Sequence, residues 1–222
     1  MTFKRVVHIH IPKTAGTSVT LYMRKLFGNA NVAHFGRRDK TARFRQLQAE
    51  DLMKYKCIGG HLTYPILREK IGPDALYFTV LRDPFDLYLS YFSDIIHRES
   101  HPLYQKANQL TPLGFLEYVA KENILKPQIS YLSAEKSLDQ TIEFISEKKI
   151  FAETLPHVET LLDFIAHTFG KQPVVLPRRN ASQRSAAPDE TKLREVVDDV
   201  YRADHMLIAY IDKIRNSLTT AG

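Results

Sequence analysis

Twice in its first hundred residues the chain runs from an apolar, strand-like segment through a short polar loop into a helix. The first instance is a predicted strand over Val6–Ile11, followed by Val19, Tyr22, Met23, Leu26 and Phe27 at helical spacing, with Gly28 as a stop. The second is ALYFTVL, Ala75–Leu81, a β-branched and aromatic run preceded by Gly72-Pro73 and read as a buried strand. Asp83-Pro84 then opens a helix through Leu87, Tyr88, Tyr91, Phe92, Ile95 and Ile96. Strands that feed helices predict an α/β domain with a central, mostly parallel sheet flanked by helices.

The remaining segments fit that plan. Cys57-Ile58 runs into Gly59-Gly60, a short strand ending in a turn. Helices are predicted over Pro112–Glu122, Leu125–Ser133, Ser137–Glu147 and Leu155–Phe169, the last closed by Gly170. Lys149–Ala152 reads as a short strand, Pro173–Arg184 as a loop, and one long helix runs from Pro188-Asp189 through Ile214. There is no repeat, low-complexity tract or linker, and 222 residues suffice for one sizeable core. A single domain over 1–222 is expected.

Charge narrows the ligand without naming it. A formal charge of +6 suits an anion, with nucleic acid, an acidic sugar and a nucleotide all open. The lone cysteine, Cys57, excludes an intramolecular disulfide and fits a reducing compartment. No apolar stretch approaches the roughly 18 residues of a membrane span. The N-terminus lacks a signal-peptide core with a cleavage site, so a cytoplasmic location is expected.

In an α/β sheet, ligands bind beyond the C-terminal ends of the strands. The loop Pro12–Thr17 falls there. Gly16 permits close backbone approach, Thr14, Thr17 and Ser18 offer hydroxyls, and Lys13 brings a full charge. The first helical turn, with Ala15 beside it, adds unpaired N–H groups and a favourable dipole. These features describe a cradle for phosphate or sulfate. The pattern GxxxxGK[ST] is missing, however, because the lysine precedes the glycine. Arg82, at the end of the second strand, can grip an anion with both nitrogens, and Ser90 lies about two helical turns on. The plainer readings are a surface lysine in an ordinary turn, and Arg82 paired to Asp83 or another surface acid with Ser90 exposed.

Together the two motifs resemble the sulfotransferases that use 3′-phosphoadenosine 5′-phosphosulfate (PAPS). HIPKTAGTS, His10–Ser18, is similar to the 5′-phosphosulfate loop of the carbohydrate enzymes of the heparan sulfate 2-O and 6-O type and their bacterial relatives. LRDPFDLYLSYF, Leu81–Phe92, resembles the 3′-phosphate motif RDPxxRxxSxY. GGHLTY places His61 where related enzymes carry a catalytic histidine. LPRRNAS, Leu176–Ser182, resembles the late loop that closes over the nucleotide, and the helix with Tyr201 and Asp204 also fits. One position departs: Leu87 stands where the family motif usually has a second arginine, and Arg178, Arg179 and Arg184 are candidates to replace it. The membrane anchor and luminal disulfides of eukaryotic members are missing too, so the resemblance implies a soluble form of bacterial type.

The resemblance implies a P-loop-like phosphosulfate-binding loop after strand 1. It also implies transfer of a sulfuryl group from PAPS to a hydroxyl, in a carbohydrate acceptor, leaving adenosine 3′,5′-bisphosphate. Lys13 would act on the leaving phosphate oxygen, with Thr14, Ala15, Gly16, Thr17, Ser18, Arg82, Ser90, Arg178 and Arg179 binding the donor. His61 would be the general base, a role suited to a group that titrates near neutral pH. No metal and no nucleic-acid partner are expected.

Other features read more plainly. His8 and His10 alternate along the first strand and are expected to line the core or the strand end. His97 and His101 lack the partner set of an H-E-x-x-H site and read as surface residues. Arg37, Arg38, Lys40, Arg43 and Arg45 form a solvated face, or else a rim for an acidic saccharide. Tyr64, Tyr88 and Tyr91 read as core, with stacking on a ligand the alternative. Two competing functions stay open: a phosphate-loop kinase or nucleotide hydrolase, and a non-catalytic nucleotide- or polyanion-binding module.

Overall fold

The computed structural model describes residues 3–36, 38–177 and 190–219. Its sheet has five strands: β1 (Arg5–Ile9), β2 (Val32–Phe35), β3 (Cys57–Gly60), β4 (Ala75–Leu81) and β5 (Phe151–Thr154). Every pairing is parallel, in the order β2-β3-β1-β4-β5. The helices are α1 (Gly16–Phe27), α2 (Arg38–Gln46), α3 (Ala49–Met53), α4 (Tyr64–Ile71), α5 (Pro84–Ile96) and α6 (Tyr104–Asn108). They continue as α7 (Pro112–Lys121), α8 (Leu138–Ser146), α9 (Val158–Thr168), α10 (Glu190–Val200) and α11 (Arg202–Thr219).

Strand periodicity divides the core. Leu76, Phe78 and Val80 of β4 join Val6 of β1 under α1 and α9, through Val19, Tyr22, Leu162 and Ile165. Tyr77 and Leu81 join Val7 and Ile9 on the other face, against α2, α3, α4 and α11. A third cluster lies around α5, α6, α7 and α10, centred on Phe85, Tyr88, Phe115 and Leu193. The chain leaves β1 for one face of the sheet and β3 for the other. Such a division opens a crevice at the strand ends.

Some predicted elements change. The long final helix breaks at Tyr201, between α10 and α11. The break has a packing reason: Leu193 and Val197 serve the third cluster, whereas Leu207 and Ile211 serve the sheet. Leu125–Ser133 is not an α-helix; only Gln128–Tyr131 coils, as a 3₁₀ turn. Pro127, extended at ψ 152°, interrupts the helix, and the amides of Gln128 and Ile129 bond to the Asp204 carboxylate. The last strand lies two residues later than expected, at Phe151–Thr154. Gly59 and Gly60 belong to β3 rather than to a turn. A Cβ on Gly60 would lie 2.8 Å from the Phe35 carbonyl oxygen, so glycine lets β2 approach.

The polar stretch after Gly36 holds an unexpected helix, α2, whose Phe44 is fully buried while Arg43 and Arg45 face solvent. Lys70 closes its C-terminal end by donating to the carbonyls of Phe44 and Leu47. Cys57 is buried, and burial pushes its thiol up to about 12, so it is an inert core residue. Among the described residues no helix is long and apolar enough to cross a membrane.

Candidate functional site

The loop from β1 to α1 is held in an unusual conformation. Lys13 and Ala15 adopt left-handed backbones, at φ 68° and 60°, which cost non-glycine residues on the order of 1 kcal/mol each. The kink is fastened at three points. Thr14 Oγ1 donates to the Ile11 carbonyl, the Arg82 guanidinium donates to the Lys13 carbonyl at 3.0 Å, and the His10 ring packs under Gly16. A Cβ at Gly16 would lie 1.7 Å from His10 Nε2, so this glycine is required by close packing.

The result is a helix start without a cap. Ala15 occupies the N-cap of α1 and has no side-chain acceptor, and the first turn carries no acid. By contrast, Asp83 caps α5, Thr111 caps α7 and Ser137 caps α8. The α1 end opens instead on a cavity of about 870 Å³, where its dipole favours an anion.

This cavity gathers most of the residues singled out in the sequence. Lys13, Ala15, Gly16, Thr17, Ser18, His61, Arg82 and Ser90 all line it. Thr14 does not; it is fully buried, with its hydroxyl spent on the loop itself. Arg178 and Arg179, like Arg184, lie outside the described residues, although the adjoining Leu176 and Pro177 line the cavity. Asp83 accepts from the Asp86 amide and no carboxylate is within ion-pair distance of Arg82 among the described residues, while Ser90 is buried. The exposed serine of the plainer reading therefore does not hold, while Arg82 still feels the nearby charges of Asp86 and Asp83. Of the three tyrosines only Tyr91 lines the cavity; Tyr64 and Tyr88 are core, and the Tyr88 hydroxyl donates to the Pro112 carbonyl.

Other groups at the cavity or beside it were not singled out. Asp94 and Arg98 follow Ser90 at successive helical turns and line the same wall. Asp94 pairs with Lys13 at 3.4 Å and with Arg98 at 3.0 Å. Their spacing from Ser90 was a usable signal. His34 of β2 is hydrogen-bonded to His10, Nε2 to Nδ1 at 2.9 Å. Its strand is only four residues long, which hid it. Leu87, at the missing-arginine position, is buried.

Four histidines thus converge from three neighbouring strands. His61 follows β3 and its ring centroid lies 4.5 Å from that of His10; His8 stacks between His10 and Phe78. Burial drives the pKa of His8 down to about 3 and holds His10 well below the usual range; His34 and His61 reinforce both, and His8 adds to the effect on His10. Burial also lowers His61. These groups take up protons more readily in the unfolded chain, so stability is present above pH 6.5 and declines as pH falls below it. Each of His8 and His10 contributes a slope of about 1.4 kcal/mol per pH unit. The melting temperature is therefore expected to fall by on the order of 5 °C between pH 7 and 5.5. A flat profile over that interval would show that the histidines are not held neutral. His97 and His101 stand apart: His97 caps the exposed end of α5, and His101 lies in the turn beyond it, accepting from the Leu103 amide. Among the described residues no cluster of three His, Cys, Asp or Glu side chains is placed to hold a metal ion.

A parallel sheet, a lysine-bearing loop and an uncapped helix start together define a P-loop-like nucleotide-binding architecture. A family model described as the sulfotransferase family matches residues 2–214, so the chain belongs to that family and is a PAPS-dependent sulfotransferase. Mouse sulfotransferase SULT7A1, solved in complex with PAP, shares the fold with a TM-score of 0.56. The likeness covers 96% of this chain and 88% of that one, at 13% identity. No curated protein matches in sequence.

Proposed function

We propose that the chain moves a sulfuryl group from PAPS to a carbohydrate hydroxyl, with His61 as the base. The observation that carries this reading is the single cavity shared by Lys13, the uncapped α1 end, His61, Arg82 and Ser90. Bound there, PAPS supplies an activated sulfuryl group on a phosphate leaving group. The acceptor oxygen forms a bond to sulfur as the bridging S–O bond breaks, and the bridging electron pair stays on the phosphate oxygen. His61 takes the acceptor's proton; its lowered pKa keeps the ring free to accept one at neutral pH. Lys13 neutralises the charge growing on the bridging oxygen, while the α1 amides, Thr17 and Ser18 hold phosphate and sulfuryl oxygens.

Arg82 and Ser90 are assigned to the 3′-phosphate. Arg82→Ala is expected to weaken adenosine 3′,5′-bisphosphate by roughly ten- to a hundred-fold, the worth of a charge-assisted contact. Adenosine 5′-monophosphate should lose far less, and equal losses by calorimetry would remove the assignment. A carbohydrate acceptor rests on the resemblance of His10–Ser18 and Leu81–Phe92 to the carbohydrate enzymes. Arg43 and Arg45, exposed on α2, provide charge suited to an acidic saccharide. Transfer of labelled sulfate from PAPS to a panel of polysaccharides, simple sugars, phenols and tyrosyl peptides tests it. Labelling confined to phenols or peptides would refute the carbohydrate reading.

A further inference from the structure

We infer that Gln128 and Asp204 are positioning residues for the anion site, acting through the main chain of Arg82. The inference rests on the assignment of Arg82 to the donor.

Arg82 is the first residue past β4, where the strand ladders have ended. Gln128 takes over from the missing neighbour. Its Oε1 accepts from the Arg82 amide at 2.9 Å, and its Nε2 donates to the Arg82 carbonyl at 2.7 Å. A side-chain amide carries one acceptor and one donor side by side, and so satisfies both groups. Gln128 is itself fully buried, and its backbone amide donates to Asp204 Oδ2 at 2.7 Å. The next amide, of Ile129, donates to Oδ1 at 3.0 Å. At the other end Arg82 donates to the Lys13 carbonyl at 3.0 Å. A continuous run of bonds therefore leads from the carboxylate in α11 to Arg82 and on to the backbone of Lys13, two of the residues that bring positive charge to the cavity.

Asp204 is an expensive way to brace a turn. It is fully buried and has no cation within ion-pair distance among the described residues. Burial pushes its carboxyl up to about 6, against the two amide bonds that favour the charged form. Buried amides and carboxylates are retained where a fixed geometry matters, because each unmet bond would be costly. The geometry fixed here is that of the Arg82 backbone, from which the guanidinium reaches the cavity and the lysine loop.

The test is a double-mutant cycle in purified protein. Gln128→Met keeps the volume and removes both bonds; Gln128→Glu keeps the acceptor alone. Gln128→Met is expected to weaken adenosine 3′,5′-bisphosphate by about ten-fold, with Gln128→Glu intermediate. In an Arg82→Ala background, Gln128→Met should add less than about two-fold, since its effect passes through Arg82. Asp204→Asn, which keeps the shape and one acceptor, should weaken the same ligand and serves if Gln128→Met fails to fold. Losses that multiply in the double mutant, or variants with lowered melting temperature and unchanged affinity, would overturn the proposal. Arg82→Ala alone reports on the 3′-phosphate assignment. If it affects both nucleotides alike, that assignment falls, and the same cycle read in kcat still decides the proposal: non-additive losses support it and additive ones refute it.

Discussion

Lys13→Ala is expected to lower kcat by about 10²- to 10³-fold, and to raise the donor's dissociation constant far less. Negative charge builds on the bridging oxygen only as sulfur leaves, so a cation there acts more strongly in the transition state than in the ground state. The fold accepts left-handed backbones at Lys13 and Ala15 and ties the lysine carbonyl to Arg82. The ammonium is held near Asp94 by a half-exposed pair, worth at most about 1 kcal/mol, which a donor phosphate can readily replace. Lys13→Arg should rescue only in part, because a planar guanidinium does not put its charge where a compact ammonium does. EDTA should leave the native rate unchanged if lysine and helix amides supply the needed charge. Steady-state sulfate transfer, with donor binding measured separately, decides the matter: a purely binding defect, or activity lost to EDTA, would refute this mechanism.

His61→Ala should reduce turnover by at least about a hundred-fold while leaving donor affinity nearly native. Because burial lowers this histidine, the acid limb of the kcat/KM profile should lie below pH 6.5 and disappear in the variant. The neighbouring His10 is not expected to replace it. That ring is buried under Gly16 and hydrogen-bonded to His34. Near-native turnover without His61 would place the base elsewhere in the cavity.

Two of the sheet's three interior strands, β1 and β4, were legible because each carries a strong, unambiguous pattern. Ala75–Leu81 matches β4 residue for residue, and the first strand differs from β1 only at its ends. The helix starting at Pro84 was equally clear, since Asp83 and Pro84 are local signals. Edge elements were harder. Val32–Phe35 is too short to show periodicity, and α2 presents few apolar residues inward. The break at Tyr201 depends on which cluster each half-helix meets, a tertiary fact absent from local pattern. The same holds for the candidate site. Lys13, Arg82 and Ser90 sit in recognisable motifs, whereas the buried Gln128 acquires meaning only when an irregular turn meets the end of β4.

The central place of β1 makes the sheet depend on strands that come much later in the chain. This strand precedes both of its partners in the chain, Cys57–Gly60 on one edge and Ala75–Phe78 on the other. Until both are synthesised, Val6, Val7 and Ile9 belong to a strand with two open edges, a state prone to mispairing. Such distant pairings also make for slow folding, because the loops must close before any contact repays them. The loop after β1 is thus made well before the carboxylate at the far end of its hydrogen-bond run, since Asp204 lies in α11. A segment that ends before α11 carries Lys13, Gly16 and Arg82 without the bonds that Asp204 makes.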